Sequence, residues 1–240
     1  MIFHSSVRLA EKVHCYIWEG KGNNCNTILL CHVLRGEHPH VLIDPGHIRN
    51  ELGEHAFDSL TQVMEKDGFK TQDIGLVLCT HCHPDHFEAV DAVVNQNTLL
   101  AYSREEDEFY QEVGKSFFSA FGVKLSQAKP FFYLAEGSLN LGAKNKVNIR
   151  VLPTPGHSPG SISFYLEDEK ILLSGDVVFF GSMGRTDFPG GSLTVLRQSI
   201  DKLSQLDVEY LVPGHSTELG NIIAGEEKVK QNFQMIKMFF

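Results

Sequence analysis

Residues able to bind metal ions are concentrated in one short segment, T-H-C-H-P-D-H at 80–86, which follows an apolar stretch with strand character. His81 and His83 are two positions apart, so both project to the same side of an extended backbone. The proline then breaks the strand, and Asp85 and His86 can turn toward a second point just beyond. Imidazoles combined with a carboxylate suit zinc or iron. The segment therefore predicts ligands for two neighbouring metal positions.

Three later segments offer one further ligand each. His157 lies in a loop stiffened by proline and glycine, Asp176 ends an apolar strand, and His215 follows Pro-Gly at the end of another. A single histidine in a glycine-rich loop is more often structural than a metal ligand. The joint occurrence of all three, in loops of the kind that carry functional residues, makes a much stronger signal.

The elements that must position these residues follow from the apolar pattern. Strands are predicted at 13–18, 27–33, 41–43, 74–79, 147–152, 162–166, 171–173 and 208–212. Helices are predicted at 57–64, 103–121, 193–206 and 226–239, with Ser192 as the N-cap of the third. This alternation is typical of an α/β fold. No linker divides the chain, so we expect a single domain over residues 1–240.

A faint internal repeat relates the two halves of the chain. In each half a strand ends in an aspartate, a helix follows, and a later strand ends in a histidine. Asp44 and His81 form this pair in the first half, and Asp176 and His215 form it in the second, at nearly equal separations. Two such halves facing each other would bring their strand ends to a common rim.

Taken together, His-x-His-x-Asp-His, Gly-His, Gly-Asp and Pro-Gly-His resemble the signature of the metallo-β-lactamase-fold hydrolases. The resemblance runs from the 41–46 segment to His215. It implies an α/β architecture in which two mixed β-sheets form a four-layer αββα sandwich. The site would lie at one rim of the paired sheets.

The resemblance also implies a role for each ligand. Three histidines would hold one ion, three residues would hold a second, and one aspartate would bridge them. In that order these are His81, His83 and His157; Asp85, His86 and His215; and Asp176. Asp85 and Asp176 are predicted as catalytic residues. Asp44 matches a family position that supports the ligands by fixing imidazole tautomers.

Within the family, the Gly-Arg185-Thr-Asp187-Phe188 segment is most similar to the branch that contains glyoxalase II and the persulfide dioxygenases. Arg185 either forms an ion pair with Asp187 that shapes the loop or lies near the site and meets an anionic substrate. His47 follows Asp-Pro-Gly at a strand end and is a candidate for substrate contact. Glyoxalase II has a helical C-terminal region that helps to bind glutathione; only one helix is predicted here after His215, so those residues are not carried over.

The leading functional hypothesis is hydrolysis at a dinuclear centre that activates water for attack on a carbonyl, with a thioester as the expected substrate. Two divalent ions are expected, zinc first, with iron or manganese as alternatives. The rival hypothesis is a persulfide dioxygenase with a single iron on His81, His157 and Asp176. A third is a metal-binding module without catalytic activity. The full set of seven ligands favours two metals.

Composition excludes some partners. The 30 acidic and 21 basic residues give a net charge of −9, which argues against nucleic acid. No apolar run approaches the length of a membrane span, and five scattered cysteines fit a reducing cytoplasm. We therefore expect a cytoplasmic protein acting on a small, thiol-derived and anionic molecule. The sequence leaves its oligomeric state open.

Overall fold

The computed structural model describes residues 1–120, 122, 125–142 and 147–240. Its strands form two sheets, both of which mix parallel and antiparallel pairs. The first contains, in spatial order, β1 (His4–Ala10), β2 (Val13–Trp18), β3 (Thr27–Leu30), β4 (His40–Ile43), β5 (Ile74–Leu78), β6 (Leu99–Ser103) and β7 (Phe132–Leu134). The second contains β13 (Ile223–Ala224), β12 (Tyr210–Pro213), β11 (Ile171–Gly175), β10 (Ile162–Leu166), β9 (Val147–Pro153) and β8 (Gly137–Leu141).

The helices cover the outer faces of the two sheets. They are α1 (Ala56–Lys66), α2 (Pro84–Phe87), α3 (Val90–Val93), α4 (Arg104–Phe109), α5 (Lys115–Ser119), α6 (Leu193–Leu203) and α7 (Glu226–Lys237). A 3-10 turn spans Thr71–Asp73, and a π-helical turn at Tyr110–Gly114 joins α4 to α5. None of the helices in the described ranges is both long and apolar enough to cross a membrane.

Three apolar clusters show why these layers form. Strand residues alternate between faces, so Val41 and Ile43 of β4 pack into the core between the sheets, together with Phe164 of β10. Leu42 points the other way, into the cluster that α1 covers. Leu172 of β11 likewise packs under α6 and α7. The predicted αββα sandwich of two mixed sheets is confirmed.

The predicted elements differ from the observed ones mainly at their ends and edges. Ser192 caps α6 as predicted, since its hydroxyl accepts from the Val195 amide, but α6 ends at Leu203 rather than at 206. The helix predicted over 103–121 is divided by the π-helical turn and ends at Ser119; residue 121 lies outside the described residues. The prediction did not include β1, β7, β8 or β13, which are short or expose much of one face. It also missed β6, although four of its five residues are buried.

The parallel pairs of strands determine where the candidate metal ligands lie. Strands β4 and β5 run parallel, as do β11 and β12, so within each pair the carboxyl ends meet at one edge. The two edges are joined by backbone hydrogen bonds, from the Asn26 amide to the Gly214 carbonyl (2.7 Å) and from the Ile162 amide to the Thr80 carbonyl (2.9 Å). The internal repeat thus brings its strand ends to a common rim, as expected.

His4, which contacts Ser59 of α1, makes the stability of the fold sensitive to acid. The Ser59 hydroxyl oxygen accepts from the amides of Phe3 (2.7 Å) and His4 (3.1 Å), so its own proton is free to donate to His4 Nδ1 (2.9 Å). The other ring nitrogen is buried without a hydrogen-bond partner among the described residues, and the ring lies edge-on to Trp18. Burial therefore lowers the pKa of His4 to about 3.

We expect metal-free protein to lose about 2 kcal/mol of unfolding free energy through His4 when the pH falls from 6.5 to 5. The folded pKa lies below the unfolded one, so this stability is complete above about pH 6.5 and decreases as the pH falls toward 3. Urea unfolding at several pH values measures it. His4→Gln should flatten the pH dependence, whereas His55→Gln, at an exposed histidine, should leave it unchanged; equal slopes for His4→Gln and wild type would contradict the assignment.

Candidate metal centre

All seven predicted ligands lie together at the rim where the strands end. The first group comprises His81, His83 and His157, whose ligand atoms are within 4.8 Å of one another. Nδ1 of His83 and Nε2 of His157 are 2.8 Å apart. His81 and His83 belong to the segment after β5, and His157 to the loop between β9 and β10. All three side chains are buried.

A second group lies beside the first and comprises Asp85, His86 and His215. Nε2 of His215 is 3.1 Å from Asp85 Oδ2 and 3.1 Å from His86 Nε2. Asp85 and His86 are in α2, which begins at Pro84 as the break after His83 predicts. The segment after β5 therefore supplies side chains to both groups.

Asp176 stands between the two groups. Its Oδ2 is 3.4 Å from Nε2 of His157 and 3.3 Å from Nε2 of His215, so one oxygen faces a histidine of each group. Its Oδ1 is 3.2 Å from His86 Nε2. His81, His86 and Asp176 also form a third set of converging ligand atoms.

Hydrogen bonds behind the imidazoles fix their tautomers. The Thr80 hydroxyl donates to Asp44 Oδ2 (2.6 Å), so its oxygen accepts from His81 Nδ1–H (3.0 Å) and leaves His81 Nε2 unprotonated. His86 Nδ1–H donates to the same Asp44 oxygen (2.9 Å). His157 Nδ1–H donates to the carbonyl of Arg185 (2.8 Å). In each case the other ring nitrogen, which faces the cluster, is left free to bind a metal. Contacts of this kind fix the tautomers of histidine ligands in metalloproteins.

The side chains at the rim fit divalent cations. His81 Nε2 and His83 Nε2 are buried without a hydrogen-bond partner among the described residues, which is costly unless another group satisfies them. Asp85 and Asp176 are buried carboxylates, and the ion pairs recorded for them in the described ranges come only from histidines. Nitrogen and carboxylate donors in this proportion suit zinc, iron or manganese.

The protonation states of the histidines differ between the two groups. Burial lowers the pKa values of His81, His83 and His157, which stay neutral. Burial also disfavours charge on His215, but Asp176 and Asp85 outweigh it and raise its pKa to about 10. Burial disfavours charge on His86 too, but Cys25, Asp176 and Asp44 outweigh it and hold its pKa well above the usual value. The metal-free rim therefore neutralises its carboxylates with protonated imidazoles, which must release their protons when cations bind.

A cavity of about 860 Å³ opens onto the cluster. His47 lines it, with Nδ1 held 2.7 Å from Glu88 Oε2. Arg185 lines it as well: its guanidinium pairs with both oxygens of Asp187, as the first alternative predicts, and stacks 3.8 Å above the Phe188 ring. The cavity lining therefore combines an exposed arginine with buried histidine and carboxylate groups.

Sequence reasoning missed several residues that support the site. Thr80, which links Asp44 to His81, belongs to the cluster segment but offers no metal-ligand signal of its own. Glu88 and Glu106 are buried carboxylates that contact His47 and the ligand loops respectively. The one available signal for Glu106 is its place three residues after Ser103, the spacing of a helix capping box.

An αββα sandwich with five histidines and two aspartates converging at one rim defines the class of a metallohydrolase. The family model described as metallo-beta-lactamase superfamily matches residues 21–215, so the chain belongs to that superfamily. The predicted resemblance is thereby confirmed. At this level the protein is a hydrolase with a candidate site for divalent metal ions.

Individual relatives agree with this placement. The chain is 32% identical over 191 residues to a probable metallo-hydrolase of Methanocaldococcus jannaschii, MJ0888, with 77% of this chain and 85% of that protein covered. It is 31% identical over 183 residues to the hydroxyacylglutathione hydrolase GloC of Haemophilus influenzae, with 73% and 79% covered. Among solved structures, TTHA1623 in a di-iron-bound form is similar with a TM-score of 0.65 and 28% identity, covering 89% of this chain and 98% of that one.

Proposed function

We propose that this protein is a dinuclear metal-dependent hydrolase that cleaves a thioester of a small, anionic thiol. The observation that carries the proposal is the position of Asp176, which faces His157 on one side and His215 on the other through a single oxygen. A carboxylate in that position can hold two ions close together. Two ions that share a water lower its pKa and make hydroxide available at neutral pH.

The chain's own residues then have defined tasks. His81, His83 and His157 would hold one ion, Asp85, His86 and His215 would hold the second, and Asp176 would be shared between them. Thr80 and Asp44 keep the imidazoles in the tautomers that binding requires, because their oxygens accept hydrogen bonds from Nδ1–H of His81 and His86. These arrangements are built before substrate arrives, so little reorganisation is needed during the reaction.

The cavity supports a substrate with one charged and one apolar part. Arg185 and Arg49 line it and can meet an anion, while Phe118 and Phe188, whose rings lie edge-on to His83, line an apolar part. His47 lies in the same cavity and can contact the polar part of the substrate. A thioester suits the site chemically because a thiolate leaves readily. The relative named hydroxyacylglutathione hydrolase supports this class of substrate.

Metal content and turnover, measured on one preparation, test the proposal. Protein purified without added metal should contain about two divalent ions per chain, with zinc the expected element, and should hydrolyse a hydroxyacylglutathione thioester. Elemental analysis and release of free thiol are the two measurements. A matched assay of oxygen consumption with glutathione persulfide serves as the control for the rival reaction.

Each alternative gives a different pattern. One iron per chain with oxygen uptake and no thioester cleavage would replace the proposal with a mononuclear dioxygenase on His81, His157 and Asp176. Bound metal without either reaction would favour a metal-binding module. A preparation with no bound metal and no uptake of added metal would contradict the dinuclear centre itself.

A further inference from the structure

The first turn of α4 contains a capping signal that is used in an unusual way. Ser103 is the N-cap, and its hydroxyl oxygen accepts from the Glu106 amide (3.1 Å). In a capping box the glutamate three residues after the cap returns to the backbone amide of the cap residue. The Glu106 side chain instead leaves the helix and enters the protein interior, where it is 0% exposed.

The Glu106 carboxylate accepts three hydrogen bonds there. Oε1 accepts from the Cys82 amide (2.9 Å), and Oε2 accepts from the Ser158 hydroxyl (2.7 Å) and from the Gly160 amide (3.0 Å). Glu105 and Glu108, on the same acidic stretch, are exposed. Burial of a carboxylate is costly, so a fully buried one with three well-placed donors indicates a specific role.

The three donors belong to the two loops that carry the first group of candidate ligands. Cys82 lies between His81 and His83, and Ser158 follows His157 directly. One side chain therefore joins the loop after β5 to the loop between β9 and β10. Its two oxygens are divided between them, so neither loop can move without breaking a charge-assisted hydrogen bond.

The helix itself is pressed against the second loop. The Ser103 hydroxyl donates to the Gly160 carbonyl (2.5 Å), and a Cβ atom at Gly160 would overlap the Glu106 backbone. Glycine is thus required at position 160 for close approach of the helix start. This contact fixes the position of the Glu106 backbone, and the three hydrogen bonds fix the position of its carboxylate.

We propose that Glu106 is a positioning residue whose carboxylate holds the loops of His81, His83 and His157 at the separation in which these histidines converge on one metal ion. The inference rests on the proposed metal centre, and it assigns to Glu106 no contact with metal or substrate. Without the carboxylate, two backbone amides and one hydroxyl would lose their buried acceptor and the loops would separate to find others.

Metal binding by purified protein, resolved into its two steps by competition with a chromophoric chelator, tests the inference. Glu106→Gln has one acceptor oxygen and places an amide N–H group among three donors. We expect one of the two binding steps to weaken about 10- to 100-fold, as loss of a ligand-supporting contact does elsewhere. The other step should stay within about twofold of wild type. Glu105→Gln, which removes a carboxylate from the exposed side of the same turn, is the control and should change neither step.

A second variant and a stability measurement separate positioning from general structure. Ser158→Ala removes one of the three donors and keeps the carboxylate, so it should fold and weaken the same step by a smaller factor. Unchanged affinities in folded Glu106→Gln and Ser158→Ala would overturn the inference. Equal weakening of both steps, in parallel with lower urea stability of the metal-free protein, would also overturn it. Wild-type protein that binds no ion would contradict the proposed function, and the inference with it.

Discussion

Asp176→Asn is expected to lower thioester hydrolysis by more than about 100-fold and to leave the protein with less than its full complement of metal. Asparagine preserves the size of the side chain but removes its charge. It also replaces one oxygen by an amide N–H group that would face imidazole nitrogens at 3.2–3.4 Å. Elemental analysis and kcat, determined on the same sample, measure the two effects.

Asp187→Asn is the matched control for this variant. Asp187 is eleven positions further along the same segment, is exposed, and pairs with Arg185 rather than with a histidine of the cluster. Its replacement should leave metal content unchanged. If Asp176→Asn retained both ions and turned over within about twofold of wild type, Asp176 would have no bridging role and the dinuclear proposal would fail.

The metal cluster could be predicted because its ligands follow apolar strands. Val77 and Leu78 of β5 are buried, as are Leu172 and Leu173 of β11, so the sequence marks both strands clearly. Loops that follow strands commonly carry functional residues, so several potential ligands at such positions together form a strong signal. The resemblance to a known family then assigned each of them a role, and the structure brings the seven side chains together.

The supporting carboxylates could not be predicted in the same way. Glu106 lies in a run of four acidic residues, 105–108, which has the composition of a solvated helix start. Only the docking of α4 against Gly160 turns Glu106 inward, and that contact joins positions far apart in the chain. The supporting role of Glu88 likewise follows from its short distance to His47, which the local sequence does not indicate.

The edges of the fold were missed for a related reason. Strand β1 buries only His4 fully and leaves the middle of its length exposed, so it has little apolar periodicity. The segment 103–119 has the composition of one continuous helix, yet the π-helical turn at Tyr110–Gly114 divides it. Tyr110 packs edge-on against Phe87, a tertiary contact that local periodicity does not encode.

Asp44→Asn is expected to weaken metal binding about 10- to 100-fold, although Asp44 belongs to none of the three ligand groups. The carboxylate accepts from the Thr80 amide (2.8 Å) on one oxygen, and from the Thr80 hydroxyl and His86 Nδ1–H on the other. Asparagine has a single acceptor oxygen, so one side must lose its partner. Each buried donor left without an acceptor costs about 1–3 kcal/mol of unfolding free energy.

Asparagine is also the substitution that isolates this effect. Asp44 has a φ of 53°, a left-handed conformation that asparagine tolerates well, so backbone strain does not contribute. Thr80→Ser, which keeps the hydroxyl between Asp44 and His81, is the control and should bind metal as wild type does. Chelator competition measures affinity, and urea unfolding of the metal-free form measures stability. If Asp44→Asn lost stability but bound both ions normally, Asp44 would only brace the fold; loss of affinity beyond the loss of stability would show that it orients His86 for the metal.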